Sequence, residues 1–143
     1  MFQSYWRLSR SLSLDVRACV RDAQGRVALV RLPNSIMWQF PGGTVEQGET
    51  AAGALSRLLL QDAGLEGVGE ATLFAVYGGT QGARFDQRAL FLVPSWRRLD
   101  AGMVNAQADM AFFEAGRLPH DADPAVPVRL AEISRARALS EVW

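Results

Sequence analysis

The sequence predicts an α/β fold: a mixed β-sheet with one helix inserted after the third strand and a second helix near the C-terminus. Three observations predict it. Leu14, Val16, Ala18 and Val20 alternate with Asp15, Arg17 and Cys19, the period-two pattern of a half-buried strand. Residues 50–63 are rich in Ala and Leu, with Thr50 placed to cap the start and Gly64 to close the end. Strand-like segments rich in β-branched and aromatic residues then return at 71–78, 88–94 and 109–114.

Each element has a local reason. "DAQG" (22–25) is turn chemistry between the first strand and "RVALVRL" (26–32), so the two form a hairpin. "PNS" breaks the second strand, and "MWQF" (37–40) is a short third strand stopped by Pro41, Gly42 and Gly43. The helix at about 50–63 carries one flaw, Gly53, which costs about 1 kcal/mol relative to alanine. A glycine-rich loop joins 71–78 to 88–94. Pro119, Pro124 and Pro127 punctuate the approach to an Arg-rich helix at about 127–138.

A chain of 143 residues is most simply one domain, 1–143, with 1–12 as an N-terminal extension; it can bury roughly two thirds of its unfolded surface. Phe2, Tyr5 and Trp6 with Arg7 and Arg10 suggest a short turn packed on the domain. The 15 basic residues, all arginine, balance 15 acidic ones, so no net field argues for nucleic acid or an anionic membrane as partner. Cys19 is the only cysteine, which excludes a disulfide framework and a cysteine-based zinc site. No stretch approaches the roughly 18 apolar residues of a membrane span, and the start lacks a signal-peptide core, so the expected location is the cytoplasm.

The chemistry-bearing stretch is "PGGTVEQGETAAGALSRLLLQDAGL" (41–65). Gly43, Glu49, Arg57, Leu59, Gly64 and Leu65 fall without a gap on the pattern G-x5-E-x7-R-E-U-x-E-E-x-G-U, where U is aliphatic, and Pro41, Gly42, Val45, Gly48, Thr50 and Ala54 support it. The stretch from Gly43 to Leu65 therefore resembles the Nudix box, and the elements around it suit the Nudix α/β/α sandwich. The resemblance implies hydrolysis of a nucleoside diphosphate linked to another group, with Mg2+ or Mn2+ held by the glutamates of R-E-x-x-E-E. Carboxylates at i, i+3 and i+4 line one helical face and can converge on such an ion, whose charge makes phosphorus open to attack by water.

Here those three positions are Leu58, Gln61 and Asp62. Leucine offers no oxygen, glutamine only a neutral one, and aspartate is a methylene shorter than glutamate. By resemblance, Glu49, Arg57 and Asp62 are the candidate catalytic residues: Glu49 and Arg57 brace the loop against the helix, the Gly43 carbonyl and Asp62 are what remains of the metal set, and Glu46 or Glu49 could assist from the loop. Gly42 and Gly43 shape the turn against the substrate, while Arg31, Arg84 and Arg88 are candidate phosphate clamps. A later acidic residue is sought in "NAQADM" (105–110), where only Asp109 stands, with Ala106 at the position of interest.

Bland readings stand beside these. Trp38, Phe40, Phe74 and Tyr77 could stack on a nucleobase, but aromatic residues in strands are mostly core; His120 reads as an exposed loop residue and Cys19 as packing. Leu58, Leu59 and Leu60 spread over too wide an arc to share one core stripe. Leu59 takes the core position, Leu58 lines the former metal cleft, and Leu60 turns toward solvent, making this leucine pair a candidate homodimer surface. Two functions remain open: a hydrolase with little metal-binding charge, or a module that binds a nucleotide-type small molecule without turnover.

Overall fold

A computed structural model describes residues 12–100 and 106–143. The order is β1 (Leu14–Val20), β2 (Val27–Arg31), β3 (Gly42–Thr44), α1 (Ala51–Leu58), a π-helical turn (Leu59–Ala63) and β4 (Leu65–Gly67). It continues with β5 (Thr72–Gly78), β6 (Gln87–Val93), β7 (Trp96–Arg98), β8 (Asp109–Phe113) and α2 (Ala125–Ile133). The main sheet has the order β3-β1-β6-β5, with β1 parallel to β6 and the other pairs antiparallel. β2 pairs antiparallel with β8, and β4 with β7. The expected N-terminal turn lies outside the described residues. Among those residues, no helix is long and apolar enough to cross a membrane.

The mixed sheet and its two helices match the predicted fold class, and the details correct it in several places. β1 is not half-buried. Val16, Ala18 and Val20 pack toward α1, and Cys19 packs with Val126 and Leu130 of α2, so both faces of the strand are covered. Asp15 and Arg17 are therefore interior residues. The hairpin turn forms, with Asp22 and Gly25 closing it, but β2 parts from β1 after the single bridge Arg21–Val27 and pairs instead with β8. In the 37–40 segment only Trp38 and Gln39 make isolated bridges, and the strand falls on Gly42–Thr44. The second helix starts earlier than predicted because Pro127 sits in its first turn, where a missing N–H costs nothing. It stops by Ser134, with Arg135 in a left-handed conformation (φ 63°). The β4–β7 ribbon went unpredicted; three residues per strand carry too little pattern.

The box helix begins as predicted: the Thr50 hydroxyl accepts the Gly53 N–H at 3.0 Å. It does not end as a regular α-helix. The Gly64 N–H reaches back to the carbonyls of Leu59 and Leu60, and Gly64 itself turns left-handed (φ 67°), closing a π turn over 59–63. Leu58 and Leu59 are both buried, while Leu60 is 39% exposed. The surface expected to carry a homodimer thus reduces to Leu60.

Candidate functional site

β3 lays the glycine turn along β1, setting Gly42 opposite Arg17, Gly43 opposite Val16 and Thr44 opposite Asp15. Gly42 adopts φ 152°, and a side chain there would run into the Val16 carbonyl, so the residue must be glycine for the strands to approach. The loop that follows is tied to α1 by a two-pronged ion pair. Arg57 Nε donates to Glu49 Oε2 and Arg57 Nη2 to Glu49 Oε1, each at 2.8 Å; Nη2 also reaches the Thr44 carbonyl at 3.2 Å. Glu49 Oε1 accepts the Glu46 N–H at 2.9 Å.

The Arg57 hydrogen bonds, with the Glu46 amide, hold the Glu49 carboxyl down to about 2. A folded value below the unfolded one means that this contribution is complete above the usual carboxylate range and disappears as pH falls toward 2. Urea melts of the wild type and Arg57→Leu between about pH 5 and about pH 2 should therefore converge as acid is added. A stability gap that stays constant over that range would refute the pair's role in bracing the loop.

The face expected to hold metal is different. Leu58 is 7% exposed, and its Cδ atoms lie 3.3 and 3.4 Å from the point where a side chain on Gly43 would begin. An isobutyl group fills the space beside the glycine turn. The Gln61 carbonyl accepts the Gln107 N–H at 2.9 Å. Asp62 is 5% exposed; burial pushes its carboxyl up, against a Gln61 hydrogen bond and the charges of Arg17 and Arg57. Among the described residues, no group of three or more His, Cys, Asp or Glu side chains could hold a metal ion. Magnesium takes a shell of oxygen ligands, at least partly anionic, and of the three box positions only Asp62 carries a carboxylate.

The other predicted residues are dispersed. Arg31 pairs with Asp109 at 3.1 Å and lies over the Trp38 ring at 4.8 Å, which engages the one later acidic residue expected in 105–110. That loop does pass the box helix, bringing Gln107 to Gln61, and Ala106 lies close to Gly64. Phe40 and Tyr77 are core residues, His120 is exposed, and Cys19 is buried with its thiol pushed up by that burial.

Arg88 is buried, and the cluster around it was missed by sequence reasoning. Its Nε donates to Asp15 Oδ1 at 2.6 Å. Arg17 holds the same carboxylate with Nε (2.9 Å) and Nη2 (3.2 Å), and its Nη1 donates to Gln39 Oε1 (3.1 Å) and the Phe40 carbonyl (2.9 Å). Two charged residues at alternate positions of an otherwise apolar strand were the available signal.

A second buried network joins α2 to the chain's last residues. Glu132 accepts the Tyr77 hydroxyl at 2.8 Å and the Ser140 N–H at 2.7 Å. Arg129 Nε lies 2.8 Å from Glu132 Oε1, near enough for an ion pair without hydrogen-bond alignment, and its Nη1 donates to the Val142 carbonyl at 3.0 Å. Burial, then the Glu132 hydrogen bond and charge, push the Tyr77 hydroxyl above its ordinary range.

A glycine turn braced to a helix by a Glu–Arg pair, inside a mixed sheet flanked by two helices, defines an α/β sandwich of one recognisable class. The family model for the NUDIX domain matches residues 12–128, and the chain belongs to the Nudix family. The fold is shared with solved structures of low identity. A NUDIX hydrolase from Nitrosomonas europaea is 18% identical, with TM-score 0.68, covering 88% of this chain and 90% of that one. The E. coli ORF135 protein is 24% identical, with TM-score 0.66 and coverage of 89% and 91%. An ADP compounds hydrolase is 14% identical, with TM-score 0.64 and coverage of 87% and 71%. No curated protein matches the sequence.

Proposed function

We propose that this Nudix-family chain binds a small molecule carrying a nucleoside diphosphate at its glycine turn, and that metal-dependent hydrolysis there is weak or lost. In this reading Gly42 and Gly43 present backbone to the diphosphate, Glu49 and Arg57 keep the loop in place, and Arg31 and Arg88 supply positive charge. Asp62 is the only carboxylate left of the metal set. The family assignment and a relative that acts on ADP compounds support a nucleotide as ligand.

The observation that carries the loss is Leu58 packed beside Gly43, where the motif places a glutamate. Removing one transition-state charge contact costs about 10²–10³ in rate, and two of the three box glutamates are here uncharged side chains.

Calorimetry with ADP, and phosphate-release assays on nucleoside diphosphate derivatives with Mg2+ or Mn2+, test this. ADP binding is expected to be unchanged by EDTA, with no release beyond background. Brisk metal-dependent release that Asp62→Ala abolishes would overturn the proposal and establish a hydrolase that works with one carboxylate.

A further inference from the structure

The Asp15 cluster does not balance. Arg17 and Arg88 both contact one carboxylate, and all three residues are buried. Arg17 is spent: Nε, Nη1 and Nη2 all have partners, and with Asp15 it makes a neutral, two-pronged pair. Arg88 is not spent. Only its Nε has a hydrogen-bond partner among the described residues. Its guanidinium carbon lies 3.8 Å from the centre of the Phe85 ring and 4.8 Å from that of Trp143, contacts that fix the plane of the group but satisfy none of its N–H donors.

Two guanidinium groups share one carboxylate here, whereas charge held in a protein interior is normally matched by an opposite charge. Asp123 acts on Arg88 only at longer range; its carboxylate caps the Ala125 N–H at 2.9 Å and makes no ion pair among the described residues. Burial and the Arg17 charge, in that order, depress the Arg88 pKa, the direction expected for a cation short of a counter-charge.

We infer that the Nη1/Nη2 edge of Arg88 is an oxyanion site, which takes a phosphate or carboxylate group side-on and completes the charge balance of the Arg17–Asp15–Arg88 cluster. A planar fork with one edge anchored, and its plane set by two rings, suits two oxygens of one anion better than a point contact. The inference deepens the ligand-binding reading above. It rests on that reading only for the molecule that carries the anion.

Thermal melting and calorimetry with inorganic phosphate, and separately with acetate, at fixed ionic strength provide the test. Phosphate at about 100 times its Kd should raise the wild-type melting temperature by about 5–10 °C. Arg88→Met leaves the neutral Asp15–Arg17 pair, so it should melt no lower than the wild type without anion and lose the response. Arg88→Lys, which keeps charge without the fork, should bind phosphate about 10-fold more weakly. A response to acetate in place of phosphate, also abolished in Arg88→Met, supports the site and assigns it to carboxylates.

Three results overturn the inference: no wild-type response to either anion, an equal response in Arg88→Met, or an Arg88→Met protein that melts far below the wild type in the absence of anion. A phosphate response without ADP binding would sustain this site while the nucleotide reading falls. Unaltered ADP binding in Arg88→Met, with the phosphate response gone, would sustain this site and nucleotide binding while removing Arg88 from the groups that hold the diphosphate.

Discussion

Replacing Leu58 and Gln61 together by glutamate is expected to lower the metal-free melting temperature by about 10 °C and to create a magnesium response of similar size. Two effects combine in the loss. Leu58 belongs to the core cluster with Ala54, Leu55 and Leu59, so removing it forfeits packing worth about 2–4 kcal/mol. The new carboxylate then stands at a site 7% exposed, four residues from Asp62, whose own carboxyl burial already pushes toward neutrality. Mutual repulsion of helix neighbours adds only a few tenths of a kcal/mol per pair; desolvation of an unpaired carboxylate contributes far more. Arg17 and Arg57 act on Asp62 at longer range and offset part of the cost.

Magnesium reverses the sign. Three carboxylates and the Gly43 carbonyl offer the oxygen-rich set that the natural residues do not, and an ion at about 100 times its Kd contributes about 2.7 kcal/mol. Leu58→Ala serves as the control, since it loses the packing without adding charge and should show no magnesium effect. A double glutamate variant that melts like Leu58→Ala and ignores magnesium would mean that residues 58, 61 and 62 do not face one site.

Much of this was legible because the deciding signals are local. Thr50, Gly64 and the alternation of β1 depend on residues within a few positions of one another, and the Glu49–Arg57 brace is a motif whose geometry the sequence spacing carries. What could not be read depends on partners distant in the chain. Asp15 and Arg17 look like the wet face of a strand until α2 covers that side of the sheet. Arg88, 73 residues after Asp15, then becomes its neighbour. The π turn is a second case. Its i→i+5 bond rests on Gly64 and on local packing, and nothing in "LLLQDAGL" separates it from a regular α-helix. It widens the arc over which 58, 61 and 62 are spread, so the even spacing that the motif suggests is only approximate here. The β2–β8 pairing depends on contacts about 80 residues apart, whereas the hairpin expected from "DAQG" was the nearest available partner.

Glu132→Ala should destabilise the chain by about 3–5 kcal/mol, the usual cost of leaving one member of a buried ion pair alone. The carboxylate side chain is fully buried, and the Arg129 side chain is 3% exposed. Without Glu132, Arg129 keeps the Val142 carbonyl and the faces of Tyr77 (4.3 Å) and Trp143 (5.2 Å), none of which carries a full counter-charge. The Tyr77 hydroxyl and the Ser140 N–H also lose their acceptor. The loss should therefore spread to the terminal segment, which is pinned to β5 by Gly78 N–H to the Glu141 carbonyl (2.8 Å) and Trp143 N–H to the Gly78 carbonyl (3.1 Å). Amide exchange at Gly78 and Trp143 should accelerate more than exchange in β1. Arg129→Met added to Glu132→Ala should recover part of the stability, because an apolar side chain asks for no partner where a stranded guanidinium does. The recovery, measured as a double-mutant cycle from urea melts, isolates the pair from the hydroxyl and amide that Glu132 also serves. A double variant no more stable than Glu132→Ala would show that the stranded charge is not the source of the loss, and that Tyr77 and Ser140 carry it instead.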